Sequence, residues 1–368
     1  MFLSIGMLKQ KYFLTDIFIL SAEKQPIKLS WRKIECLRFF LLSFFFSCTD
    51  NNEEVKTVSP SDSISAFLNL PTSIELFGDK LFVVDPFDKE GMVKVIDLKT
   101  KDICFQFAPK GEGPNELLHV GSMDIYRDVK NNMIINLFDP TTQRLYIYNY
   151  DSLSIMRNKY TPEVHNLSDS DVSFHELLKI DNGYVTTGKA EKYKYIILSD
   201  SFQVIDQFGM YRKKPSDDIP DMLHAIANYG KSFISGNRYF LAEIIYNAPV
   251  LSFYDLKKKE KLWEYCLGDL DYRIDGESII YKSVVGYLSI SLTDKYIYAL
   301  YSGEKDKEDD IATYGKMIHI FNYDGELVNK YQLSISAFSI SVDYENKKLY
   351  ALSHQPEPKI YIYDLFYY

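Results

Sequence analysis

The chain has 368 residues, 46% hydrophobic and 25% charged, with a formal net charge of −9 and a pI near 5.3. That balance is the balance of a folded domain, and the acidic excess excludes a nucleic-acid partner, which needs clustered Lys and Arg to displace counterions. The basic cluster KKKEK, residues 257–261, reads as a solvated turn.

In chain order, the first element is an apolar run of about eleven residues, 37–47, with Arg32 and Lys33 before it and Arg38 at its start. It is too short to span a bilayer, which takes about 20 residues, and it has the length and flanks of a secretory signal core. It ends at Cys48, with a polar, acidic stretch (50–54) directly after it. The arrangement resembles a bacterial lipoprotein signal, in which cleavage before the cysteine exposes it for acylation. Ser47 suits the small position before the cysteine, whereas Phe45 and Phe46 depart from the usual pattern. The run-in before the apolar core is long for a signal, so translation is expected to start downstream of Met1. The resulting division is a signal region (1–47), a lipid-anchored tether (48–62) and a folded body (63–368). The resemblance implies an anchor in the cell envelope, with the acidic stretch pointing to the outer membrane, facing the periplasm or the surface.

From residue 63 onward the chain repeats. Aromatic residues make up 15%, with 30 tyrosines, and they fall in alternating runs such as RLYIYNY and KIYIYDL that fit a pleated, half-buried surface. No helix-period stretch of convincing length follows residue 69. A short apolar strand after a polar turn recurs six times, around Leu81, Ile134, Tyr184, Tyr239, Tyr296 and Leu349, at spacings of 53, 50, 55, 57 and 53 residues. Further strands flank each copy, giving four per repeat, with LSIMRNKY (153–160) read as the outer strand of the second. Six repeats of about fifty residues predict an all-β, six-bladed β-propeller of four antiparallel strands per blade. The sixth copy lacks an outer strand, and SISAFLNL (63–70) has the pattern to supply it beside KIYIYDL, closing the ring and removing exposed edges. Cys104 and Cys266 fall three blades apart, too far for a disulfide, and are expected to be buried apolar thiols. Cys36 leaves with the signal.

The segment KGEGPNE joins blade one to blade two. No helix pattern follows it, which excludes a phosphate-cradling loop. Its glycines are expected to adopt positive φ in a tight crossing that Pro114 stiffens. With Gly111, Gly113, Pro114 and Glu116 in a G-x-G-P-x-E arrangement, the six-fold repeat and the lipidation signal, residues 63–368 resemble the TolB-like and NHL-like six-bladed propeller lipoproteins of Gram-negative bacteria. That resemblance implies export and a binding or scaffold role, and it carries over no active site.

The turns on one face of such a propeller are short, whereas the other face carries the long segments 160–173, 209–230, 268–285 and 302–316. Long loops on a rigid scaffold are where binding resides, so an unknown protein, peptide or glycan ligand is expected there. The candidate binding residues on this face are His119, His175, Glu176 and His224. No two-histidine ligand spacing, calcium-loop spacing or nucleophile elbow is present, so no cofactor, metal or catalytic residue is assigned. The expected function is a non-catalytic, membrane-tethered binding module. The alternative is a lactonase-like or lyase-like hydrolase with a metal in the central channel, which needs inward carboxylates converging on an ion.

Overall fold

Each repeat folds into a four-stranded antiparallel sheet, and the six sheets stack around a common axis. The computed structural model describes residues 55–168, 172–188, 192–276, 278–305 and 314–365. Cys48 and the acidic 50–54 stretch lie outside the described residues, as does most of the 302–316 loop.

From the axis outward, blade one is Ser73–Phe77, Lys80–Val84, Val93–Asp97 and Ile103–Phe107. Blade two is Ser122–Arg127, Met133–Asp139, Arg144–Asn149 and Glu163–Asn166, and blade three is Leu178–Ile180, Gly183–Thr187, Tyr193–Leu198 and Val204–Met210. Blade four is Gly230–Ile234, Phe240–Ile245, Val250–Asp255 and Glu260–Cys266, and blade five is Tyr287–Leu292, Tyr296–Tyr301, Gly315–Asn322 and Leu327–Ala337. Blade six has Ser339–Asp343, Lys348–Ser353 and Lys359–Asp364 from its own repeat. Second and third strands are buried on both faces, as in Lys80–Val84 and Val93–Asp97, because neighbouring blades cover both sides. Outer strands have one covered face, so exposed residues interrupt strands such as Glu260–Cys266.

The ring closes as the sequence indicated, with one difference in extent. Asp62–Ile64 pairs antiparallel with Lys359–Asp364, in the register Asp62↔Ile362 and Ile64↔Ile360. The strand ends at Ile64; beyond it the chain is held by side chains, with Leu68 buried and the N–H groups of Asn69 and Leu70 donated to the Asp85 carboxylate at 2.8 and 3.1 Å. The fold also begins earlier than residue 63. Lys56–Val58 adds a fifth, parallel strand to the outer edge of blade five, where Val58 packs with Ile318, Tyr331 and Leu333.

Aspartates set the turns. Asp85 directly follows the second strand of blade one and Asp139 ends that of blade two, each followed by proline, and each fixes the incoming crossing; Asp139 Oδ2 accepts the Leu118 N–H at 2.8 Å. Asp97 and Asp255 each accept two N–H groups from the outer turns that follow; Lys257, Lys258 and Lys259 of the KKKEK cluster form such a turn, with Lys259 at φ 58°, and Glu260 and Lys261 begin the next strand.

Three local readings are corrected. LSIMRNKY is not a strand: Tyr150–Met156 forms helix α1, whose N-cap Asn149 accepts from the Ser152 N–H, followed by a 3₁₀ turn at Arg157–Lys159. The outer strand of blade two comes later, at Glu163–Asn166. Cys104 and Cys266 are free but exposed, because both sit on outermost strands. The glycines of the blade-one crossing do not take positive φ; the left-handed residue there is Ala108, at φ 63°. Glu116 folds back so that its Oε2 accepts the Gly113 N–H at 2.8 Å, and a Cβ on Gly111 would stand 2.0 Å from that oxygen. Gly111 and Gly113 are needed to admit the Glu116 side chain, so the loop carries its own anion.

Candidate functional site

Six inner strands face the axis with one unpaired edge each. In blades one, three, four and six, N–H groups at this edge are taken by side chains of the preceding blade around the ring. Ser339 and Ser341 accept from Ile74 and Leu76 (3.2 and 3.0 Å), and Ser289 and Ser291 from Ile340 and Val342 (3.1 and 2.9 Å). Ser122 and Asp124 accept from Leu177 and Lys179 (3.0 and 2.7 Å), and Glu176 accepts from Ser232 (3.1 Å). The sequence signal for this seam is the recurring inner-strand triplet SIE, SMD, SIS, SIS.

Inside the seam lies a channel cavity of about 450 Å³ lined by all six blades. Arg238 of blade four reaches blade two, pairing with Asp124, donating to the Ile125 carbonyl at 2.6 Å and lying over the Tyr126 ring. Burial, with the nearby Asp124 charge, pushes the Glu75 carboxyl up to about 8. Burial lowers the Lys231 ammonium, with Glu176 and Glu75 opposing the shift. Among the described residues, no group of three or more His, Cys, Asp or Glu is arranged to hold a metal ion, so the channel-metal reading has no ligand set there.

A second cavity, of about 490 Å³, opens on the long-loop face between blades three and four. It lies against helix α2, Asp221–Ala227. The two sides of this helix differ. His224 and Ala227 are buried, in a small core where Ile219, Leu270 and Tyr272 join the 209–230 and 268–285 segments. The latter segment forms a hairpin, Tyr272–Asp275 with Ser278–Tyr281. Because the two segments share that core, neither is an expendable loop. The other side of α2 presents Met222, Ala225 and Ile226 to the cavity, continued by Tyr229. Met222, Ile226 and Tyr229 remain 55, 51 and 48% exposed. The cavity is also lined by Lys194, Asn228 and Glu243, all buried. There Lys194 pairs with Glu243 and donates to the Asn228 carbonyl at 2.8 Å.

The four candidate residues separate. His175 lines the cavity, edge-on to Tyr229 at 5.5 Å, and partial burial lowers its pKa so that the neutral ring is favoured. Glu176, next in sequence, points the other way into the blade seam. His224 lies beneath α2, with Nε2 2.6 Å from the Arg212 carbonyl and Nδ1 2.7 Å from the Tyr272 hydroxyl. The carbonyl can only accept, so Nε2 carries the proton and Nδ1 accepts from Tyr272. His119 lies in the crossing to blade two, outside the cavity lining. Sequence reasoning missed Met222, Ala225, Ile226, Asn228 and Tyr229, although their i, i+3, i+4, i+7 apolar spacing (222, 225, 226, 229) was readable.

Solved structures share this architecture. A member of the DUF4221 family from Bacteroides vulgatus is 12% identical with a TM-score of 0.55, covering 83% of this chain and 97% of its own. A Bacteroides fragilis protein described as exported is 12% identical with a TM-score of 0.50, covering 84% and 94%. The RRP9 WD40 repeats are 10% identical with a TM-score of 0.50, covering 85% and 100%. At these identities the likeness shows the fold alone. No curated protein matches the chain. The family model described as TolB-like 6-blade propeller-like matches residues 49–345, and with six four-stranded blades in place the chain belongs to the TolB-like six-bladed propeller family.

Proposed function

We propose that the protein is an exported, lipid-anchored module of the cell envelope that binds a ligand on its long-loop face without catalysing a reaction. The observation that carries this reading is the uncovered apolar side of α2. A short surface helix whose outward side carries Met222, Ile226 and Tyr229 above a cavity is built to be covered. The opposite face has tight, aspartate- and asparagine-capped turns, such as the one where Asn322 accepts the N–H groups of Asp324 and Glu326. Replacing Met222 and Ile226 together by Glu is expected to leave the melting temperature within a few degrees, because exposed positions shift stability by about 0.5 kcal/mol or less. Binding to hits from peptide and glycan arrays is expected to fall at least tenfold, whereas Asp324→Lys leaves it unchanged. The reverse pattern would place recognition on the short-turn face.

The export and anchoring part of the proposal rests on the apolar run ending at Cys48. The family supports a place in the envelope, and the acidic 50–54 stretch supports the outer membrane. The Cys48→Ala protein is expected to lose labelled fatty acid and to move from the membrane to the soluble fraction. Unchanged membrane attachment in that variant refutes the anchor.

A further inference from the structure

We infer that the central channel is a second binding site, taking a small monocarboxylate with a hydroxylated body whose carboxylate pairs with Lys231 Nζ. It stands apart from the cavity beside α2 and does not depend on the long-loop reading. Its cavity of about 450 Å³ is lined by all six blades and has the size of a small-molecule site.

The charged groups along the channel are unevenly paired. Asp124 and Arg238 pair with each other. Arg127, at the end of its strand, donates to the Asn131 carbonyl at 3.0 Å and lies over the Phe77 ring. Lys231 pairs with no carboxylate among the described residues; its Nζ stands over the Phe233 ring, 5.3 Å from the centroid. Two carboxyls act on it from other blades, Glu75 and Glu176. Glu176 is engaged in the seam, where its oxygens accept from the Ser232 N–H and the Thr187 hydroxyl at 3.1 and 3.4 Å. Burial favours the neutral form of both carboxyls, and it disfavours the charged form of Lys231. A buried ammonium without a counter-charge is costly, and an entering carboxylate supplies that charge. One unpaired cation matches one negative charge.

The serines of the seam provide for the rest of the ligand. Ser291 and Ser341 line the channel, and each accepts a backbone N–H of the next blade. Neither gives its own proton to an acceptor among the described residues. A hydroxyl proton turns to suit its partner, so both can be donated to ligand oxygens. Glu75 adds a pH dependence. Burial and the Asp124 charge raise its carboxyl to about 8, against Arg238, Lys231 and the Ile125 N–H. Below that pH it is a neutral O–H donor; above it, a second anion beside the ligand. Lys231 also sheds its proton as pH rises, so both groups favour binding at the acid side.

The test is calorimetric titration with gluconate, which carries one carboxylate on a hydroxylated chain, beside sorbitol, the same chain without it. Gluconate is expected to fill one saturable site per chain at about pH 6.5, with sorbitol at least tenfold weaker, the loss of a charge-assisted hydrogen bond. Lys231→Met removes an unpaired buried ammonium, so its melting temperature is expected to hold or rise while gluconate affinity falls at least tenfold. Wild-type affinity is expected to drop at least fivefold between about pH 6.5 and pH 9, and less in Glu75→Gln. The protein with Met222 and Ile226 both replaced by Glu is expected to bind gluconate as wild type does. No saturable binding, full binding in Lys231→Met, or loss in that double variant overturns the channel site. Equal affinity for sorbitol overturns the pairing with Lys231, and tighter binding of inorganic phosphate overturns the single charge. A pH response unchanged in Glu75→Gln overturns the part given to Glu75.

Discussion

A chain beginning at Pro71 is expected to lose most of its stability, whereas one beginning at Val55 melts with the full-length protein. The segment between them supplies the outer strand of blade six and three buried side chains, Val58, Ile64 and Leu68 (9, 0 and 7% exposed). Ile64 and Leu68 pack with Ile74, Leu81, Ile96 and Ile360, so they join the last blade to the first. Burying such side chains stabilises by about 1.5–3 kcal/mol each. Their joint loss, on the order of 5–9 kcal/mol, is comparable with the whole stability of a typical domain. The uncovered edge of Lys359–Asp364 would also invite pairing between molecules. A chain beginning at Ser61 isolates the parallel strand Lys56–Val58 and is expected to fall between the two. Thermal melting with size-exclusion chromatography decides the matter. Equal melting temperatures for the Val55 and Pro71 chains would show that the ring holds without its N-terminal strand.

Lys94→Met is expected to lower the melting temperature by on the order of 10 °C. Lys94 Nζ lies 2.8 Å from Asp85 Oδ2 and 3.0 Å from Asp88 Oδ2, with Lys94 and Asp85 fully buried. It also donates to the Phe67 carbonyl at 3.0 Å, and Asp85 holds the Asn69 and Leu70 N–H groups. The cluster therefore ties the closing segment to blade one. Removing one partner of a buried ion pair leaves the other charge unpaired and costs about 3–5 kcal/mol. Pairing Lys94→Met with Asp85→Asn removes that charge while keeping one of the two oxygens that accept the Asn69 and Leu70 N–H groups, and should recover part of the loss. Denaturant melts of the four proteins measure the coupling. A loss under 1 kcal/mol for Lys94→Met, or strictly additive effects, refutes this account of the cluster.

The architecture was legible because it is written in short-range physics. Side chains alternate across a pleat with period two, polar turns punctuate the strands, and the unit recurs six times, so strand order and blade count follow from pattern. Closure followed as well, because a missing outer strand at one end and an orphan strand at the other leave a single economical pairing. Asn149 shows where pattern fails. LSIMRNKY is apolar enough for an outer strand, but a side-chain cap on the Ser152 N–H and one buried residue, Leu153, suffice to make a two-turn helix there. The glycines of the first crossing show a second limit, since composition announces a turn without saying whether conformation or space requires them. Here it is space for the Glu116 carboxylate.

The site was decided by tertiary structure. Glu176 and His175 are adjacent in sequence, yet one enters the blade seam and the other the cavity, because successive residues of extended chain point to opposite sides. His224 was conspicuous as a histidine but is consumed by Arg212 and Tyr272, a partner 48 residues away. The apolar spacing of Met222, Ala225, Ile226 and Tyr229 was present in the sequence from the start. That this side of α2 stays uncovered while its other side is buried depends on the 268–285 hairpin. Periodicity specifies which residues share a face; only the packed ring determines which face is left open.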